Sequence, residues 1–130
     1  MALIDTSAWI EFFRAKGDPQ IKSRVADLVS LHSAAYTCPV RYELMLGAKS
    51  HEIADLETGL SFATRISITS DHWDEASKIG ASLRLKGFNF PALDLLIATV
   101  AHAEKLPLLA RDAHFTTIRD QALSELTLIE

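Results

Sequence analysis

The sequence predicts an α/β fold with a mainly parallel central sheet. Short apolar runs of strand length recur along the chain, at 2–4, 34–38, 65–69, 106–110 and 126–129. Between them lie longer stretches with apolar residues at helical spacing. Strands that alternate with helices pair in parallel, because each helix carries the chain back across the sheet. No repeat, low-complexity segment or linker interrupts this order, so residues 1–130 read as one domain.

The first strand, Ala2-Leu3-Ile4, runs straight into Asp5, Thr6 and Ser7. A helix follows from Ser7 to about Arg14, with Trp9, Phe12 and Phe13 on one face. Gly17, Asp18 and Pro19 break the chain before a second helix that carries Ile21, Val25, Leu28 and Leu31. Strand 34–38 comes next, with Cys38 expected as a small buried residue on it. Pro39 opens the following helix, since its missing N–H is not needed in a first turn. That helix holds Val40, Glu43, Leu44 and Leu46 and closes near Gly47. Ile53, Leu56 and Leu60 mark an amphipathic helix over 51–62, and 65–69 alternate as a strand does. Ser70 or Asp71 caps the next helix, whose expected face is Trp73, Ala76, Gly80 and Leu83. A mid-helix glycine costs about 1 kcal/mol against alanine, so Gly80 marks a close helix contact. After a loop at 87–91 come an apolar helix over 92–103, strand 106–110, a short helix begun by Asp112, and strand 126–129.

Composition narrows the function. The chain is 48% hydrophobic and 23% charged, as ordinary globular proteins are. No apolar run reaches the ~20 residues of a membrane helix, and no basic-then-apolar leader is evident. The single cysteine, Cys38, cannot close an internal disulfide, and a cytoplasmic setting is expected. Net charge is −4, from 13 bases and 17 acids, whereas nucleic-acid binders are usually basic. Carboxylates that bind divalent cations remove this objection, because a phosphate then meets positive charge. Phosphate-loop and dinucleotide glycine motifs are absent. His32, His51, His72 and His102 lack ligand spacing and read as solvated.

Four acids occupy comparable places. Asp5 follows the first strand, Glu43 lies in the helix after the second, Asp94 opens the apolar helix, and Asp112 follows strand 106–110. Each of the aspartates could simply cap a helix. Asp94 is the most informative, because an acid in so apolar a helix must be paired, capped or metal-bound. Four carboxylates gathered at one sheet edge would repel one another unless cations sat between them. Oxygen-only ligation suits Mg²⁺ or Mn²⁺, ions that serve phosphoryl chemistry.

Leu3-Ile4-Asp5-Thr6-Ser7-Ala8-Trp9, Glu43 with Gly47, Asp94-Leu95-Leu96-Ile97-Ala98, and Arg111-Asp112 with Phe115 stand in this order along nearly the whole chain. Together they resemble the PIN-domain ribonucleases and, more narrowly, VapC-type toxins of bacterial toxin–antitoxin pairs. The resemblance implies a PIN-like three-layer α/β/α sandwich. It implies Asp5, Glu43, Asp94 and Asp112 as ligands of Mg²⁺ or Mn²⁺ and as the catalytic set for RNA cleavage. The products would carry 5′-phosphate and 3′-hydroxyl ends. It further implies a VapB-type antitoxin partner and a homodimer. Two positions depart from the pattern: Ala110 stands where a threonine or serine is frequent, and His114 where a second aspartate is. His114 is then either a support behind the ligands or a plain surface residue.

Thr6 and Ser7 are expected to cap the helix or touch a phosphate. Arg41, Arg84, Lys86 and Arg111 are candidate phosphate contacts. Trp9, Phe12 and Phe13 belong to the core or to a partner groove. The dimer is expected through the Trp73, Ala76, Gly80 and Leu83 face with Ile53, Leu56 and Leu60. An aspartyl-phosphate phosphatase is excluded because Ser7 stands where its second aspartate is needed. The competing reading is a catalytically silent PIN-like module that binds protein.

Overall fold

The computed structural model describes residues 1–129. Five strands form one sheet: β1 (Ala2–Ile4), β2 (Ala34–Tyr36), β3 (Thr64–Arg65), β4 (Leu108–Leu109) and β5 (Leu128–Ile129). Their order is β3-β2-β1-β4-β5, and every pair is parallel. Parallel neighbours need crossovers, and helices supply them. Helices α1 (Thr6–Phe13) and α2 (Pro19–Ser30) join β1 to β2. Helices α3 (Cys38–Gly47) and α4 (Ile53–Ser61) join β2 to β3. Helices α5 (Ser70–Leu85) and α6 (Ala92–Ala103) lead to β4, and α7 (His114–Gln121) leads to β5. This is the α/β/α arrangement with a parallel sheet that the alternation predicted.

The central strand explains the order. All three residues of β1 are buried, because helices cover both faces of the sheet. From β1 the chain builds outward through β2 and β3, then returns to build β4 and β5 on the other side. Such a reversal leaves a crevice at the carboxyl ends of the two strands flanking it, here β1 and β4.

Local chemistry sets the turns. Asp18 caps α2 by accepting the Gln20 and Ile21 N–H groups at 3.0 and 3.1 Å, with Pro19 in the first turn. Gly17 lies against α1 so closely that a Cβ there would stand 1.8 Å from the Glu11 carbonyl oxygen. Any other residue would push α2 away from α1.

Several expectations need correction. Strand 65–69 is only Thr64–Arg65, because β3 is an edge strand whose single partner is β2. Cys38 is exposed and begins α3 instead of lying buried on β2. Pro39 sits in that helix's first turn, so β2 ends before it. The buried face of α5 is His72, Ala76, Ile79 and Leu83, a continuous i, i+4, i+7, i+11 stripe, and Trp73 lies beside it, half exposed. His72 is buried, not solvated. Its Nδ1 accepts the Thr69 N–H at 3.0 Å, and its Nε2 stands 2.9 Å from Glu104 Oε1. Gly80 does mark a close helix contact, but with α6 of the same chain: a Cβ there would meet Leu95 Cδ1 at 3.2 Å. Leu56, Leu60, Ala76 and Leu83 likewise cover the chain's own core. Among the described residues no helix is long and apolar enough to cross a membrane.

Candidate metal centre

The site grows from the end of β1. Asp5 follows Ile4, and its backbone N–H donates to the Leu109 carbonyl at 2.9 Å, tying it to the end of β4. Asp5 is the N-cap of α1. Its Oδ2 accepts the Ser7 N–H at 3.0 Å and the Ser7 hydroxyl at 2.7 Å. Capping thus falls to Asp5, while the Thr6 and Ser7 hydroxyls serve carboxylates. Asp5 is only 4% exposed. Burial pushes its carboxyl up to about 6, against the Ser7 hydrogen bonds, and the nearby Asp94 charge adds to the rise.

Glu43 is held by Asp5's neighbour: Thr6 Oγ1 donates to Glu43 Oε1 at 2.7 Å. Helix α3 can present Glu43 here because it starts one residue after β2. The β1–β2 register, Leu3 opposite Ala35, sets Thr37 level with Asp5. Thr37 is buried, and its Oγ1 makes no hydrogen bond in this structure.

The other flank comes from α6 and α7. Asp94 lies in the first turn of α6, where a helix N-terminus favours negative charge. Burial holds its carboxyl above the usual range, the hydrogen bond from His114 works against this, and Asp112 reinforces it. Asp112 follows β4, and its Oδ1 accepts the His114 N–H at 2.9 Å. The His114 ring lies between the two acids, with Nδ1 3.0 Å from Asp94 Oδ2 and 3.2 Å from Asp112 Oδ1. One ligand atom from each of Asp94, Asp112 and His114 lies within 4.8 Å of the others. The hydrogen bond to Asp94, foremost, raises the imidazole above its ordinary value.

Ser7 joins the flanks, for its Oγ also accepts the Arg111 N–H at 2.9 Å. The Arg111 guanidinium pairs with Glu11, so it is not a free phosphate contact. Glu11 is a buried carboxylate that no motif in the sequence marks. It accepts the Asp18 N–H at 3.1 Å and an Arg14 N–H at 3.0 Å. The Asp18 bond, above all, holds it below the usual range, with the Arg111 and Arg14 charges adding. Its place in α1 beside Trp9 looked like any helical acid, and its partners are remote in sequence. His114, a departure from the family pattern that the sequence leaves as either a support or a surface residue, stands against both acids, and its spacing two residues after Asp112 is the signal for it.

The structure brings Asp94 and Asp112 together directly and sets Asp5 near enough to Asp94 for their charges to interact. Glu43 joins through Thr6. Oxygen donors of this kind fit a hard divalent cation. The raised carboxyls of Asp5 and Asp94 fit one too, since a cation offsets the cost of ionising them. Glu43 also borders a cleft of about 480 Å³ between α1, α3 and α4, with Ile10, Phe12, Phe13, Leu44 and Leu56 along its walls. Trp9 lies beneath, fully buried.

The chain is similar in fold to several solved structures. It matches a chain of VapBC2 from Rickettsia felis, bound to a promoter DNA fragment, with a TM-score of 0.80 and 22% identity, covering 98% of this chain and 96% of that one. FitAcB from Neisseria gonorrhoeae matches with a TM-score of 0.80 and 18% identity over 100% and 97% of the two chains. VapBC-5 from Mycobacterium tuberculosis, a member of the VapBC family of toxin–antitoxin systems, matches at 0.68 and 21% over 99% and 97%. No curated protein matches by sequence. The family model described as PIN domain matches residues 2–121, over the sheet core and all four acids, and the chain belongs to the PIN domain family.

Proposed function

We propose that this protein is a metal-dependent endoribonuclease that acts as the toxin of a toxin–antitoxin pair. The observation that carries the reading is Asp5: a carboxylate 4% exposed, beside Asp94, at the strand edge where this fold gathers its acids. Its capping bonds to Ser7 offset only part of the cost of burying a charge there, and cation binding offsets more. Asp5, Asp94, Asp112 and Glu43 would hold Mg²⁺ or Mn²⁺. Once bound, the cation supplies Lewis-acid stabilisation of charge on the phosphate and acidifies the attacking water.

The chain's own groups do the rest. Asp5, fixed by Ser7, and Asp94, at the head of α6, would set where the cation is held beside the scissile phosphate. Thr6 engages Glu43 Oε1, which leaves Oε2 to orient the attacking water and accept its proton. Water oxygen bonds to phosphorus, the bond to the 3′ oxygen breaks, and that oxygen takes a proton from solvent. The products carry 5′-phosphate and 3′-hydroxyl ends. Sequencing RNA ends after induction in cells tests both the activity and the ends; induction without new ends defeats the reading.

The cleft beside Glu43 is the proposed seat of a VapB-type antitoxin segment, in keeping with the toxin–antitoxin complexes among its structural neighbours. Its walls are apolar and its rim includes acids, so an amphipathic segment with a basic side chain fits. Co-purification with the product of the neighbouring reading frame tests this. We place the protein in the cytoplasm, where its RNA is. We also propose a homodimer through the exposed margin of α5 around Trp73, which is 50% exposed. Light scattering of wild type and Trp73→Glu checks it; a wild-type monomer at every concentration removes it.

The competing reading, a silent protein-binding module, draws support from His114, which already pairs with both Asp94 and Asp112. Metal titration combined with an RNA cleavage assay separates the two.

A further inference from the structure

We propose that His114 is itself a ligand of the cation, through Nδ1, and that it biases the site toward a first-row transition ion over Mg²⁺. The inference rests on the metal-centre reading above and adds to it a nitrogen donor.

Spacing is the first argument. Nδ1 lies 3.0 Å from Asp94 Oδ2 and 3.2 Å from Asp112 Oδ1. Two donors at right angles about an ion, each at a bond length of about 2.1 Å, stand roughly 3.0 Å apart. The imidazole already occupies the separation that adjacent ligands of one octahedral ion adopt, and on ligation the Nδ1 proton that bonds Asp94 leaves to solvent or moves to Nε2. A support behind the ligands would touch one acid from its far side. This ring stands between two.

Orientation is the second argument. The ring is held in place by groups other than a metal. The His114 backbone N–H is fixed on Asp112 Oδ1 at 2.9 Å. The Phe90 ring meets the imidazole edge-on, 5.6 Å between centroids at 67°, and Phe90 stacks on Phe88. Position and direction are thus set before an ion arrives, as preorganised ligands require. The side chain is 46% exposed, so ions reach it from solvent.

Charge is the third argument. One imidazole cannot neutralise the local acids, because Asp5 adds a third, buried carboxylate that interacts with Asp94. The cluster retains excess negative charge that a divalent cation satisfies.

The consequence is selectivity. Mg²⁺ prefers oxygen and gives up its water reluctantly, whereas imidazole favours later divalent ions. An aspartate at 114 would make the site all-oxygen; His114 makes it mixed.

The test uses the full chain, stripped with a chelator, with Mn²⁺, Co²⁺ and Mg²⁺ titrated separately by calorimetry. Pulsed electron paramagnetic resonance on the Mn²⁺-loaded protein looks for ¹⁴N coupling from a directly bound nitrogen. Wild type is expected to show the coupling, and His114→Ala and His114→Asp to lose it. The ratio of Mn²⁺ to Mg²⁺ affinity is expected to fall several-fold in His114→Asp, and the ratio of Co²⁺ to Mg²⁺ affinity to fall further, since Mn²⁺ stands lowest in the transition series for nitrogen donors. Circular dichroism checks that both variants fold. Mn²⁺ bound without ¹⁴N coupling in wild type, coupling that persists in His114→Ala, or an unchanged ratio in His114→Asp overturns the ligand role and leaves the metal centre standing. Failure of Mn²⁺ to bind wild type at all overturns both.

Discussion

The two flanks of the site are built on opposite principles. On the β1 side, Asp5 is buried and Glu43 half-buried, and neighbouring hydroxyls hold both, Ser7 on Asp5 and Thr6 on Glu43. On the α6–α7 side, Asp94 and Asp112 are partly exposed and share a single histidine. The first flank is rigid, because helix α1 supplies its hydrogen bonds within two residues of Asp5. The second is assembled from two segments, α6 and residues 112–114, and the His114 ring joins them. Geometry is therefore costly to disturb at Asp5, and composition is easy to vary at His114.

Neutralising one acid on each flank is the sharpest way to test that contrast. Asp5→Asn and Asp94→Asn should each cut RNA cleavage by more than about 100-fold, beyond what loss of an outer partner costs. Their stabilities should diverge. Metal-free Asp5→Asn should melt higher than wild type at neutral pH, because a buried charge is gone while the amide oxygen still accepts the Ser7 N–H. The sign follows from linkage. Folded Asp5 keeps its proton up to about pH 6, whereas the unfolded chain releases it near 3.8. Between those values the folded state binds more protons, so the metal-free protein loses stability as pH rises through the window, by about 3 kcal/mol in all. The gain of Asp5→Asn should accordingly vanish below about pH 4. Melting curves against pH in chelator, and the same curves with Mn²⁺, check both statements.

A mechanical test comes next. Gly17→Ala should destabilise by about 3 kcal/mol, since its Cβ collides with the Glu11 carbonyl and displaces α1. Urea titration measures the loss. Damage should concentrate on the Asp5 flank, so NMR shifts of His114 should move less than those of Ser7.

Ser7→Ala removes a side chain that touches both flanks. A cost of about 1–2 kcal/mol is expected, with cleavage lower by about tenfold. A variant matching wild type in both would mean that the flanks act independently. The smallest effect is expected from Thr6→Val, about 1 kcal/mol, because Glu43 is less buried than Asp5 and loses a single hydrogen bond. Its kcat should fall while its Mn²⁺ affinity stays close to wild type. A large affinity loss would instead make Glu43 a principal ligand.

The sequence by itself determined the alternation of strands and helices, and with it the parallel sheet, because apolar spacing directly records which faces are buried. It also singled out Asp5, Glu43, Asp94 and Asp112, by their places near the starts of elements and by the motifs that resemble the PIN-domain family, whereas Glu11, equally set amid apolar residues, carried no such mark. It misjudged Cys38, His72 and the Trp73 face. In each case the side chain's exposure hung on a one-residue boundary or on the phase of a helix, which local pattern resolves poorly. Only the tertiary structure decided what connects the acids. Ser7 meets Arg111 across 104 positions, Arg111 meets Glu11 across 100, and His114 meets Asp94 across 20. Such contacts leave no periodic trace, because they arise where separate crossovers end at one sheet edge, and the order β3-β2-β1-β4-β5 decides which ends meet.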